Sequence, residues 1–369
     1  MGLPRLHLLE SKPYVAGGNV QVSLRDLPPS KRIRAFFLRF EGLFAQSAAP
    51  VLASGDALCQ IFQNIELGKR IKVTGAYLDR LNWLMRGGQL ALPADVPATA
   101  STTFRRTLTA VIPFMDPFAD SKGDGQPLTD FFRDTPLIVD FAGSALFSTI
   151  TITGTLRCYA VIDEAEEGVV PSALQMGYTD WTGSQVFLEP GLYTHAWAYK
   201  ETGGLITNAE ITSISATIDG DRVIDLVRAE ELAILNDYYF ANGSALRATS
   251  ATAPIPGEQL TDEPAYTGGA AATVSLEYAP ILMCGPHYKL TQAFLVEKTM
   301  RLDFQGSLNQ FRIGWRRFEP RSAEQAIKAM VKAGVQNPDP AKIEAKTASK
   351  QGLSPAKARF MRFLPLRHR

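Results

Sequence analysis

The chain has 369 residues, 46% of them hydrophobic and 20% charged, with a formal net charge of +1. That length leaves room for about two domains of ~100–200 residues, and the composition suits a chain that buries a sizeable core. No stretch reaches the ~18 consecutive apolar residues of a spanning helix, and Met1 to His7 has neither the apolar core nor the cleavage site of a secretory signal.

The charge is unevenly placed. From Arg321 onward, six lysines and five arginines stand against Glu324, Asp339 and Glu344, a net +8, so the preceding residues carry about −7. Such a division concerns partners, not fold. Cys59, Cys158 and Cys284 are odd in number and far apart in apolar surroundings. This argues against a disulfide framework and for assembly in a reducing cytoplasm.

In chain order, residues 1–17 show no clear periodicity and read as an arm. Asn19 to Leu24 alternates apolar and polar side chains at the strand period of two. Ile33 to Phe44 carries Phe36, Leu38 and Phe40 on one face and Ile33, Ala35 and Phe37 on the other, the pattern of a strand covered on both sides. Ala57 to Leu67 is a further strand, ended by a turn at Gly68-Lys69. Tyr77 to Met85 places Leu78, Leu81 and Met85 on one helical stripe, stopped by Gly87-Gly88.

A Pro/Ala/Thr-rich loop then runs to about Thr103, followed by a strand at Phe104–Ile112. A turn-rich excursion over Met115–Pro136 precedes strands at Leu137–Phe141 and Ile150–Ile162. In the last, Ile150, Ile152, Leu156, Cys158, Ala160 and Ile162 share one face, as in a sandwich. These elements define a first β domain over 18–165.

A linker over 166–177 leads to a second domain, 178–320, with strands expected at Gln185–Leu188, Tyr193–Tyr199 and Ile211–Ile218. Val223 to Tyr239 should contain a second helix, and a small-residue loop spans Ala241–Ala272. Strands are expected again at Thr273–Tyr278, Phe294–Phe304 and Gln310–Phe318. A structureless loop of ~30 residues inside a domain usually serves function or display.

Past Pro320 the chain becomes basic and partly helical. Ser322-Ala323-Glu324-Gln325 has the form of a capping box. The last segment sets Lys342, Lys346, Lys350, Lys357, Arg359, Arg362, Arg367 and Arg369 among Phe360, Met361, Phe363 and Leu364. Two readings stand: a solvated tail, or a segment that contacts something anionic.

The chain is internally duplicated. Leu137-Ile138-Val139-Asp140-Phe141-Ala142-Gly143-Ser144 returns as Met300-Arg301-Leu302-Asp303-Phe304-Gln305-Gly306-Ser307, and Gly68-Lys69-Arg70-Ile71 as Gly220-Asp221-Arg222-Val223. Leu78, Leu81 and Asn82 are answered by Leu232, Leu235 and Asn236. A period near 160 is that of a whole domain, not a solenoid repeat.

Chemistry is sparse. His7, His195, His287 and His368 have no metal-ligand spacing, which argues against a cupin-type metalloenzyme. Cys284-Gly285-Pro286-His287 reads as a turn, because no orienting group stands near it. Asp120, Asp124 and Gly125 start a calcium-loop pattern that Phe131 breaks where Glu is required. Asp219-Gly220-Asp221 fits a hairpin turn. Asp140 and Asp303 fit a repeated strand end better than a catalytic pair. No nucleophile elbow, phosphate loop or dinucleotide fingerprint occurs. No cofactor and no enzymatic role are expected.

The duplicated order of strand, Gly turn, strand, helix and long loop resembles the double jelly-roll major capsid proteins of tailless icosahedral viruses, the lineage of adenovirus hexons and membrane-containing bacteriophages. The likeness covers about residues 18–320 and rests on architecture; the basic extension is longer than such a compact protein requires. It implies an all-β fold of two tandem eight-stranded jelly rolls, each with a short helix. It further implies pseudo-hexagonal homotrimers tiling a virion shell, assembled in the host cytoplasm with minor capsid or penton proteins. Loops 87–103 and 241–272 would form outer towers, and the arm and tail would face the genome or an internal membrane. The alternative is a carbohydrate-binding β-sandwich, a receptor-binding spike using Trp181, Trp197 and Tyr199.

Overall fold

Alternation of buried and exposed side chains governs strands such as Asn19–Val22, Leu137–Phe141, Gln185–Leu188 and Met300–Gln305. In the computed structural model, Leu137, Val139 and Phe141 are buried while Ile138 and Asp140 are half-buried, and the repeat Met300 to Phe304 follows the same pattern. The structure describes residues 5–46, 59–86, 103–114, 127–143, 150–164, 173–181, 183–201, 206–207, 210–227, 231, 246–250, 253–254, 273–276, 278–283, 294–306 and 311–319.

The first half contains β1 (Arg5–Pro13), β2 (Asn19–Val22), β3 (Lys31–Gln46), β4 (Phe62–Leu67), β5 (Ile71–Val73), α1 (Gly75–Arg86), β6 (Thr103–Pro113), β7 (Leu137–Phe141) and β8 (Ile150–Glu164). They form two four-strand arrays, ordered β1-β8-β3-β6 and β2-β7-β4-β5. The second half contains β9 (Ala173–Asp180), β10 (Gln185–Leu188), β11 (Gly191–Lys200), β12 (Ile206–Thr207), β13 (Ser213–Ile218) and β14 (Asp221–Val227). It continues with β15 (Leu246–Ser250), β16 (Ala253–Pro254), β17 (Thr273–Leu276), β18 (Ala279–Met283), β19 (Phe294–Val296), β20 (Met300–Gln305) and β21 (Phe311–Glu319).

Eight strands of the second half repeat the topology of the first. Their arrays are β9-β21-β11-β18 and β10-β20-β13-β14. With β12, β15, β16, β17 and β19 set aside, the first, eighth, third and sixth strands of each half in chain order pair in one array, and the second, seventh, fourth and fifth in the other. This is the two-sheet pairing of a jelly roll, made twice. Register agrees as well: Asn19 opposes Asp140 as Gln185 opposes Asp303, and Val22 opposes Leu137 as Leu188 opposes Met300.

Aromatic rings fill the first sandwich. Phe40 packs against Tyr14, Phe44 and Phe141 with centroids 5.5, 6.2 and 6.1 Å away. Gly42 and Gly154 lie opposite each other beneath these rings. A Cβ at Gly42 would come within 2.5 Å of Phe40, so the missing side chain is what admits the ring. Burial of a ring such as Phe40 contributes about 1.5–3 kcal/mol.

Several expectations are corrected. Residues 5–13, read as an arm, form β1, which pairs along β8 from Arg5↔Ile162 to Pro13↔Thr155. Most of its side chains are exposed on both faces, so no alternation betrays it. The linker span 166–177 includes the first residues of β9, a full member of the second roll. The strand over Ile33–Phe44 is covered on both faces only at its start: Ile33 and Ala35 are buried, but on that face Phe37 is half-buried and Arg39 and Leu43 are exposed. Val223–Val227, placed in a second helix, belongs to β14; of the remainder to Tyr239, Glu231 is helical and the other residues lie outside those described. The loop 241–272 contains β15 and β16, which join β12 and β17 in a small sheet. The stretch 294–304 is divided into β19 and β20 by a turn at 297–299.

That turn is clamped. Asp219 and Gly220, with φ of 52° and 93°, close the β13–β14 hairpin. The Asp219 carboxylate accepts backbone N–H groups of Glu297, Lys298 and Thr299 at 2.8, 2.8 and 3.0 Å. The hairpin turn expected at Asp219-Gly220 thus also anchors the approach to β20.

Candidate functional site

The feature that distinguishes this chain from two separate sandwiches is the seam between its rolls. It begins at α1. Thr74 caps the helix, its Oγ1 accepting the Tyr77 N–H at 3.2 Å. Gly75 is required there, since a Cβ would lie 1.8 Å from the Cys59 carbonyl oxygen. The helix is buried from Gly75 to Asn82. Asn82 holds it to β6 by donating to the Val111 carbonyl at 3.1 Å, and also donates within the helix to the Leu78 carbonyl at 2.6 Å. Arg80 and Asp79 are buried together as an ion pair at 2.8 Å.

From this helix Tyr77 projects into the second roll. Its hydroxyl donates to the Trp315 carbonyl at 2.7 Å, and its ring meets Trp197 and Tyr199 at centroid distances of 5.0 and 6.2 Å. Trp197 in turn lies over Gly314 of the neighbouring strand, and Trp315 over Gly177. Beside them, β5 joins β9 in parallel at Ile71↔Met176, with the Met176 N–H donating to the Arg70 carbonyl at 2.9 Å. One array of the first roll therefore runs into one array of the second as a single sheet.

The seam also holds buried charge. Arg316 is fully buried and donates to the Phe114 carbonyl of the first roll at 3.3 Å and to Thr194 Oγ1 at 3.4 Å. His195 sits one residue along, with Nδ1 2.9 Å from Thr194 Oγ1. Burial first, and then the nearby Arg316 guanidinium, hold the His195 imidazole well below its ordinary range, so it is neutral at pH 7. Burial raises the phenols of Tyr77 and Tyr199. These groups serve packing and polarity of the joint; none of the three opens to solvent.

The residues singled out in the sequence fall as follows. Lys342, Lys346, Lys350, Lys357, Arg359, Arg362, Arg367 and Arg369 lie outside the described residues, as do His287, Cys284, Asp120 and Asp124. The aromatic platform offered for glycan binding is buried: Trp197 and Tyr199 are in the seam, and Trp181 packs against Phe304 and Phe311. Asp140 accepts amide N–H groups from Asn19 and Asn64 on its two flanking strands, and Asp303 is bonded by Arg301. The two carboxylates stand at equivalent places in the rolls, but Asp140 ties β7 to both neighbouring strands while the Asp303 pair with Arg301 lies within β20. Cys59 and Cys158 are buried thiols outside any disulfide, and burial, with Glu10 nearby, pushes the Cys158 thiol up to about 12. Among the described residues no group of three or more His, Cys, Asp or Glu is placed to hold a metal ion.

The seam itself was missed by sequence reasoning. A signal existed in β11: Leu192 to Tyr199 contains no Asp, Glu, Lys or Arg, so neither face of that strand is marked for water.

Neither a protein-family model nor a curated protein matches the sequence. Solved structures do. The STIV major capsid protein aligns with a TM-score of 0.58 at 15% identity, over 86% of this chain and 96% of that one. The major capsid protein P2 of bacteriophage PM2 gives 0.46 at 12% identity, over 86% and 97%, and the PBCV-1 virus capsid 0.45 at 11%, over 86% and 94%. The chain has the double jelly-roll fold found in viral major capsid proteins.

Proposed function

We propose that this chain is a major capsid protein whose homotrimers present a pseudo-hexagonal outline and tile an icosahedral virion shell. The observation that carries the reading is the pair of rolls with the same eight-strand topology fixed by a buried seam. A six-sided tile needs six similar units, and a chain that supplies two in a rigid arrangement closes it with three copies. A flexible tandem would not define the angle between units. The buried Tyr77–Trp197 contact and the β5–β9 pairing supply the rigidity. In this role the chain is structural and works without catalysis or cofactor.

The remaining parts take places consistent with that role. Loops 87–103 and 241–272 form outward towers, and minor capsid or penton proteins meet the trimers at the vertices of the shell. The basic tail contacts genome phosphate or an anionic inner leaflet after assembly in the host cytoplasm. Size-exclusion chromatography with light scattering, followed by negative-stain imaging, tests the core claim: trimers with a hexagonal outline are expected, and a stable monomer that binds glycans refutes it. Deleting residues after Pro340 tests the tail, whose role is refuted if packaging and membrane retention are unchanged.

A further inference from the structure

The seam uses two surfaces that the chain possesses twice but joins only once. In the second roll, the edge of β9 is taken by β5, and the outer face of β11 is covered by Tyr77. The strands in the same places of the first roll are β1 and β3. There, β1 ends its array with one side unpaired among the described strands. On the outer face, Leu6, Val161 and Ala35 form one cross-strand row, and Leu8, Tyr159 and Phe37 the next. Leu6 and Leu8 are 63% and 58% exposed, and Tyr159, Val161 and Phe37 are half-buried. Correspondingly β14, the counterpart of β5 after the repeated Gly turn, ends the other array. Arg222 and Val223 stand where Arg70 and Ile71 stand in the first roll.

We infer that β14 of one chain pairs in parallel with β1 of a second copy, so that the joint inside the chain is repeated between chains. The bond from the Met176 N–H to the Arg70 carbonyl then has its counterpart in a β1 N–H donating to the Arg222 carbonyl. The second copy covers the rows of Leu6 and Leu8, as the first roll covers β11. Such a contact is head-to-tail, and it closes into a ring when internal and intermolecular joints alternate around the same axis. It also disposes of the exposed edge and its leucines, which otherwise invite unspecific strand addition. Phe37, an aromatic half-buried on the outer face while Phe36 and Phe40 fill the core, gains its cover once the second copy is in place. This inference rests on the trimer proposed above and specifies its contact.

The full-length chain and the L6D/L8D variant are compared by sedimentation and amide hydrogen exchange. The wild type is expected as a trimer. The variant is expected at roughly threefold lower mass with unchanged secondary structure, because both leucines are exposed within the single chain. Amides of residues 5–13 and 221–227 should exchange at least ~10-fold more slowly in the wild-type trimer than after its dissociation by dilution. The exchange arm needs no variant, and L8D alone replaces the double substitution if that one fails to fold. A trimeric variant, or β1 amides equally fast in trimer and monomer, overturns the pairing while leaving the trimer standing. A wild type that is monomeric at every concentration overturns both.

Discussion

Gly314→Ala tests the seam with the smallest possible change. A Cβ at position 314 would lie 2.6, 2.8 and 3.0 Å from Cε2, Cζ2 and Nε1 of Trp197. Ordinary carbon contacts are ~3.5–4.0 Å, so the indole must retreat by about 1 Å. It has nowhere to go: Trp197 is buried, and Tyr77 of the first roll lies on it with a centroid distance of 5.0 Å. Overpacking of this kind costs ~1–3 kcal/mol. The backbone at Gly314 lies outside the positive-φ region, so alanine also recovers ~0.4–1 kcal/mol through the unfolded chain. The net expectation is a loss of about 1–2 kcal/mol, or a fall in melting temperature of roughly 2–8 °C for a unit of this size.

Circular dichroism melts of Gly314→Ala, Trp197→Leu and the double variant form the assay, with Gly143→Ala as control because its Cβ would meet nothing within 4 Å. In the double variant the smaller residue at 197 makes room, so the two losses should fall short of additivity by ~1 kcal/mol or more. A fully stable Gly314→Ala, or strict additivity, would refute the packing argument. A Gly143→Ala as damaging as Gly314→Ala would do the same.

Other expectations follow from the buried and clamped polar groups. Because burial and Arg316 depress His195, the native form binds its proton later than the unfolded chain. Stability is therefore complete above the unfolded value of ~6.5 and declines as pH falls below it, by up to ~1.4 kcal/mol per pH unit. Urea melts between pH 8 and 5 should show this slope weakened in His195→Gln, and an unaltered slope would count against it. At Asp219, slight burial raises the carboxyl, but three backbone N–H donors outweigh it and leave the group below its usual range. Asp219→Ala should cost about 1 kcal/mol, kept small by solvent, and the wild-type advantage should vanish as pH falls through the lowered carboxyl value; equal stability at pH 7 would exclude the clamp. Cys158, buried and raised to about 12, should resist alkylation at pH 8 in the folded protein and react on unfolding, as peptide mass spectrometry can follow.

How much of this was legible in advance depends on where the information resides. Period-two alternation in β8, the turn at Gly220 and the repeated Asp140 and Asp303 strands are local or pairwise within the chain, so the residues alone announce two copies of one sandwich. β1 and β9 escaped because an edge strand, or one whose burial comes from the other roll, carries no clean alternation. The basic tail is visible only as composition. Tyr77, Trp197, Gly314 and Arg316 look like unrelated core residues when read along the chain. Only tertiary structure decides that a helix of one roll lies on a sheet of the other, since that contact joins positions 120 or more residues apart and depends on shape and desolvation rather than on period.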